Sequence, residues 1–250
     1  MADLQMRALD ITKHFQGVAA LTDVTLEVER GSIHGVVGPN GAGKTTLLNV
    51  MSGFLSPSQG VVELDGRDIT RLTPQKRVPL GLTRTFQNLR LFGGLTVREN
   101  VLLGQHSHAR TGFLSLWPLR TAGDKELDCE ADHALESFGL TEYRSRPAAT
   151  LPYGLQKQLE IARAVSAKPR LLLMDEPAAG MTAQERLDLV PRIRSLRDEG
   201  LTVVIVEHDM DVIATVCDVV TVLNFGRSLI EGTPADALSS AEVRTAYLGT

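Results

Sequence analysis

Val24, Leu26 and Val28 alternate with polar neighbours, a two-residue period that predicts a strand, and Ile33-His34-Gly35-Val36-Val37 reads as a short buried strand running into glycine. The opening of the chain therefore predicts a β-rich lobe. After Gly43 the positions Leu47, Leu48, Val50 and Met51 predict a helix stopping near Gly53, followed by a strand at Val61 to Leu64 and a turn at Asp65-Gly66. The period then changes. From about Thr96 to Ala167 it is helical, with Leu127, Ala131, Ala134, Leu135 and Phe138 on one apolar stripe and Leu155, Leu159 and Ala162 on another. Leu171 to Met174, Val203 to Val206 and Val219 to Leu223 are aliphatic runs of the kind that parallel strands buried on both faces require. A helix between the first two starts at the capping-box pair Thr182 and Glu185 and ends at Gly200, with a kink expected at Pro191. No internal repeat or low-complexity tract occurs. The pattern predicts an α/β core with a β-rich N-terminal lobe and, over about 96–167, an inserted helical lobe, all in one domain spanning 1–250.

Composition excludes several classes. With 250 residues, 43% hydrophobic and 22% charged, the chain can bury a sizeable core and is neither disordered nor fibrous. The net charge of −4 gives no global attraction to nucleic acid, so no nucleic-acid partner is expected. Cys129 and Cys217 make no disulfide framework and match no zinc site, which suits a reducing cytoplasm. The N-terminus lacks a basic-then-apolar run, and no aliphatic cluster approaches the ~20 residues a membrane span needs, so any span must come from another chain.

Residues 38 to 46, Gly38-Pro39-Asn40-Gly41-Ala42-Gly43-Lys44-Thr45-Thr46, lie between a buried strand and a helix. That is the arrangement a phosphate-binding loop needs: glycines let backbone N–H groups close around phosphates, and the helix start adds a favourable dipole. Lys44 would reach the terminal phosphates of ATP, and the Thr45 hydroxyl would ligate Mg2+. Asp175 and Glu176 end the aliphatic run 171–174 beside this loop if the strands are neighbours, which gives Asp175 a place on the metal and Glu176 the task of polarising water. His208, after the next run and Glu207, is placed to meet the terminal phosphate.

Together with Gln87 after Thr83-Arg84-Thr85-Phe86 and with Leu151-Pro152-Tyr153-Gly154-Leu155-Gln156 before a helix, these segments stand in the order and spacing of an ATP-binding cassette, which nearly the whole chain resembles. The resemblance implies a P-loop ATPase, with Gln87 touching the metal and linking the site to a membrane subunit, and Phe15 stacking on adenine. It also implies a head-to-tail dimer with a second cassette ATPase or with itself, in which Pro152, Tyr153, Gly154 and Leu155 meet the partner's nucleotide. Here the signature departs from Leu-Ser-Gly-Gly-Gln. Pro152 offers neither hydroxyl nor N–H, so the anion contact would fall to the N–H groups of Gly154 and Leu155 and the site using this signature should be the weaker one. The following stretch, Ala178 to Thr182, lacks the aspartate that relatives carry there.

Arg84 to Asn88, Leu95 to Val101, the 104–124 insertion, Val206 to Met210 and Ala246-Tyr247-Leu248-Gly249 resemble the ATP-binding subunit of branched-chain amino acid importers. That likeness implies a peripheral protein on the cytoplasmic face of the inner membrane, two integral permeases and, indirectly, an extracytoplasmic solute-binding protein. Import of urea-type polar solutes and lipid export are alternatives within the transport class. A cassette acting on ribosome or DNA fits poorly, because such proteins carry two cassettes or a long coiled coil. Between Arg67 and Arg120 nine Lys or Arg stand against Asp68 and Glu99, a local excess that predicts a basic face toward an anionic leaflet, with the Trp117-bearing cluster 112–119 near permease or headgroups.

Overall fold

In the computed structural model, which describes residues 3–105 and 122–248, the β-rich lobe is built on two long strands, β1 (Leu4–Phe15) and β2 (Val18–Glu29). Met6 pairs with Val28, Ala8 with Leu26 and Ile11 with Val24, so one face of the ribbon is a continuous apolar surface, and all six side chains are buried. With β4 (Gln59–Leu64) and β5 (Arg67–Asp68) these strands form an antiparallel sheet in the order β2-β1-β4-β5.

The second sheet contains β3 (Ile33–Val37), β6 (Leu82–Arg84), β7 (Leu171–Asp175), β8 (Thr202–Val206), β9 (Val219–Asn224) and β10 (Arg227–Gly232). Its order is β10-β9-β3-β8-β7-β6, parallel except for the edge strand β10. Successive side chains point to opposite faces, and both faces are covered. Leu172, Met174, Val203 and Ile205 pack into a core with the helices, whereas Leu171, Leu173, Val204 and Val206 pack into a second core with the antiparallel sheet.

The helices are α1 (Lys44–Met51), α2 (Pro74–Arg77), α3 (Val97–Gly104), α4 (Ala122–Ser137), α5 (Tyr153–Val165), α6 (Ala183–Asp198), α7 (Met210–Val216), α8 (Pro234–Ser239) and α9 (Ala241–Leu248). Ala131, Leu135 and Phe138 of α4 and its C-terminal flank share a core with Leu159 and Ala162 of α5 and with the sheet residue Met174. The middle of the chain is thus fused to the α/β core through one apolar cluster. Truncating the fully buried Phe138 to Ala would cost about 3–5 kcal/mol. The capping box forms as the sequence indicates, with Thr182 Oγ1 accepting from the Glu185 N–H, and α6 runs on through Pro191 without ending there.

The basic stretch is not a single solvated face. Arg77 is fully buried and donates to the carbonyls of Val50 and Met51 at the end of α1, and to those of Thr70 and Leu72. Its guanidinium closes a helix C-terminus and so cannot face a leaflet; burial pulls its pKa down to about 10. Arg84 is buried as well, and Arg98 is paired with Asp128 and Asp132. Arg110, Arg120 and the 112–119 cluster lie outside the described residues. Among the described residues no helix is long and apolar enough to cross a membrane.

Candidate active site

Because β3, β8, β7 and β6 are adjacent and parallel, the loops leaving their C-terminal ends share one edge of the sheet, the usual place for a ligand in an open α/β fold. That edge carries the phosphate loop after β3, Arg84 and Gln87 at and after β6, Asp175 and Glu176 at the end of β7, and Glu207 and His208 after β8. A cleft of about 600 Å³ opens there, lined by Val18, Ala19, Ala20, Asn40 to Thr46, Gln87, Glu176 and Phe225.

The loop is built for an anion. No side chain caps the start of α1, which leaves its first-turn N–H groups to an outside acceptor. Lys44 is buried, and its Nζ donates to the carbonyls of Gly38 at 2.6 Å and Pro39 at 3.0 Å. Burial lowers the Lys44 pKa, and Glu176 and Asp175 oppose that shift by favouring the charged form.

At the end of β7 the backbone turns into the left-handed region at Glu176, φ 48°, while its N–H stays bonded to the Val206 carbonyl at 2.9 Å. Non-glycine residues adopt this conformation at a cost on the order of 1 kcal/mol, a strain often found at functional sites. It places the Glu176 carboxylate in the cleft, where Gln87 Nε2 donates to its Oε2 at 2.9 Å. His208 Nδ1 lies 3.9 Å from the same oxygen, with the ring more than half exposed. Behind it, Glu207 is fully buried; its carboxylate accepts from the Ala178 N–H at 2.7 Å and the His208 N–H at 3.2 Å, and burial raises its pKa.

Asp175 is buried against Arg84, whose terminal guanidinium nitrogen donates to Oδ2 at 2.7 Å. The same guanidinium donates to Asn49 Oδ1 and Ser52 Oγ, so it ties β7 to α1. Among the described residues no three His, Cys, Asp or Glu cluster as a metal site. A magnesium ion here would take only part of its shell from protein, from Thr45, Gln87 and Asp175, and the rest from phosphate and water; that donor set fits the ion.

The signature segment starts α5 with Pro152 as its N-cap and no side-chain cap. The Glu185 carboxylate, which holds the Thr182 N–H and hydroxyl at the start of α6, lies against the Gly154 backbone. A Cβ at Gly154 would lie 2.2 Å from Glu185 Oε1, so a larger residue there would have to push the Glu185 side chain aside. The N–H anticipated for the partner's nucleotide thus has a carboxylate of its own chain beside it. Tyr153 is half exposed and lies beside Gly180.

Further along α5, two basic side chains grip the loop carrying Gln87. Lys157, 2% exposed, donates from Nζ to the Gln87 carbonyl at 2.7 Å. Arg163 donates to the Arg90 carbonyl, and Glu160 is buried between these two cations on the same helix. Burial lowers the Lys157 pKa and raises that of Glu160, each opposing the other's shift. Sequence reasoning missed these groups, Arg84 and Glu207; the only local signal was charge at positions where α5 should be apolar. Phe15 does not line the cleft: its ring is half exposed, with Lys13 Nζ 5.3 Å from the centroid.

The sequence profile of the ABC transporter family matches residues 21–179. The chain belongs to that family. This cassette is 42% identical over 243 residues to the high-affinity branched-chain amino acid transport ATP-binding protein BraF of Pseudomonas aeruginosa, covering 96% of this chain and 95% of the relative. It is 40% identical over 240 residues to the corresponding protein LivG of Escherichia coli strain K12, covering 94% of each. Among solved structures it resembles the ADP conformation of an ATP-binding cassette of an ABC transporter, with a TM-score of 0.87 and 32% identity over 99% of both chains. A nucleotide-free cassette matches with a TM-score of 0.86 and 31% identity, over 99% of this chain and all of that one. The cassette is therefore a nucleotide-binding ATPase of a transporter, with the P-loop α/β fold that its sequence resembles.

Proposed function

We propose that this ATPase energises import of branched-chain or related amino acids, hydrolysing ATP at the edge where Lys44, Gln87 and Glu176 converge. The observation that carries the reading is this convergence in a chain matching amino acid transport ATPases over almost its full length. The loop amides and Lys44 hold the phosphates. Thr45, Asp175 and the amide oxygen of Gln87 hold Mg2+, which when bound neutralises charge on the phosphates. Glu176 accepts a proton from the attacking water, oriented by Gln87, and His208 meets the terminal phosphate.

The cassette works at the cytoplasmic face of the inner membrane as a head-to-tail dimer with a second cassette ATPase or a second copy, under two permease subunits served by an extracytoplasmic binding protein. A permease-facing surface on the Gln87 loop is supported by exposed aromatic rings. Phe92 is 57% and Phe54 48% exposed, and Phe54 meets Phe86 edge-on at 5.5 Å between centroids. Arg90 lies 4.0 Å over the Phe86 ring.

A tagged chain, purified in mild detergent from its own cells, should bring down integral permeases and a second cassette in stoichiometric amounts. The assembly in liposomes should raise its ATPase rate when a leucine-loaded binding protein is added. Recovery of the chain without any membrane protein would overturn the transport reading.

A further inference from the structure

The turn joining β9 to β10 has two central residues, because Asn224 pairs with Arg227 across it. Both have left-handed backbones, Phe225 at φ 44° and Gly226 at φ 75°, the pattern of a type I′ hairpin turn, which favours Asn-Gly. Gly226 is there for a visible reason. Its N–H donates to the Ala42 carbonyl of the phosphate loop at 3.0 Å, its own carbonyl accepts from the Thr22 N–H at 2.8 Å, and a Cβ would lie 2.6 Å from the Ala20 carbonyl. Phe225 has no such reason. A bulky aromatic residue in this region is a genuine outlier, and burial does not offset the strain, since Phe225 is 86% exposed.

Its surroundings supply a reason. The turn is bonded to the phosphate loop, and Phe225 lines the same cleft as Val18, itself 69% exposed, Ala19 and Ala20. The cleft lining divides into a polar part, with the loop amides, Lys44, Thr45 and Glu176, and an apolar part made by these three residues and Phe225. A nucleoside triphosphate divides in the same way, into a polyphosphate and a flat base whose faces favour aromatic contact. We infer that Phe225 is a nucleotide-binding residue whose ring forms an apolar wall for the base. The inference rests on the reading of the phosphate loop as the nucleotide site. It gives this chain a base contact on the hairpin turn, separate from Phe15.

The test is calorimetric titration of the full chain, in magnesium, with ATP and with inorganic tripolyphosphate, which has no base. Phe225→Asn should weaken ATP binding about five- to tenfold, the lower range for base–aromatic stacking, and leave tripolyphosphate binding unchanged. Because Asn-Gly suits the turn, the same variant should unfold at a higher temperature. Phe225→Tyr should keep ATP affinity. Lys44→Ala should weaken both probes. If Lys44→Ala weakens both and Phe225→Asn weakens neither, the aromatic wall is wrong while the phosphate site stands. Equal losses for both probes in Phe225→Asn would make the residue a prop of the loop through Gly226 and Ala42, and would also overturn the wall. If Lys44→Ala leaves both affinities intact, the nucleotide-site reading itself fails.

Discussion

Gln87 and Glu176 hold one another: the amide nitrogen of Gln87 lies 2.9 Å from a carboxylate oxygen of Glu176, across a cleft wall formed by two neighbouring parallel strands. The bond orients the carboxylate that the proposed reaction uses as a base. Glu176→Gln keeps the size and the hydrogen-bonding partner but removes the proton acceptor. It should retain ATP binding and lower turnover by about 100-fold or more, measured as phosphate release at saturating ATP. Unchanged turnover would remove Glu176 from the base role.

Lys157 acts on Gln87 through the backbone, so its loss should appear in rate rather than affinity. Lys157→Met leaves the Gln87 carbonyl without its charged donor. The expected result is a roughly tenfold lower kcat with little change in KM for ATP, a loss of about 1.4 kcal/mol of transition-state stabilisation. Lys157→Arg should restore most of the rate, since it renews the charged donor.

The pair formed by Arg84 and Asp175 is buried on both sides, at 5% side-chain exposure each. Removing one partner leaves an uncompensated charge, and Arg84→Met should destabilise the chain by about 3–5 kcal/mol in urea unfolding. The double variant Arg84→Met with Asp175→Asn should lose less than the sum of the two single losses. Additive losses would show that the two groups are not coupled.

His34 gives stability a pH dependence of known sign. Its Nε2 lies 2.7 Å from the Thr221 hydroxyl, which donates its own proton to Glu231, so the imidazole is the donor. Burial lowers its pKa from 6.5 to about 4. The unfolded chain therefore takes up a proton as the pH falls through 6.5 while the folded chain does not. The contribution is fully present above pH 6.5 and is lost progressively down to about pH 4, a difference on the order of 3 kcal/mol. His34→Gln should flatten this part of the profile when unfolding free energies at pH 7 and pH 4.5 are compared.

What the sequence made legible was local. The alternation at Val24 to Val28, the aliphatic run 171–174, the Thr182 and Glu185 box and the loop 38–46 each involve residues within a few positions of one another, and each forms the element its pattern indicates. Arg84 and Asp175 are 91 positions apart, and Lys157 and Gln87 are 70 apart. Nothing in a charged residue's neighbourhood along the chain says that it will be buried against a partner that distant. The charge count from Arg67 to Arg120 misplaced Arg77 and Arg84 for the same reason: it treated them as surface groups, whereas the fold uses one to close α1 and the other to hold Asp175.

Lys157 and Arg163 hold the 86–90 loop by the carbonyls of Gln87 and Arg90 and leave its side chains alone. An anchor of this kind is indifferent to the residues it holds. Asn88 and Leu89 are free to be rewritten without loosening the joint between α5 and the ATPase core. If this loop meets the permease as proposed, its side chains can be altered to suit that partner while the carbonyls that hold it to α5 stay in place.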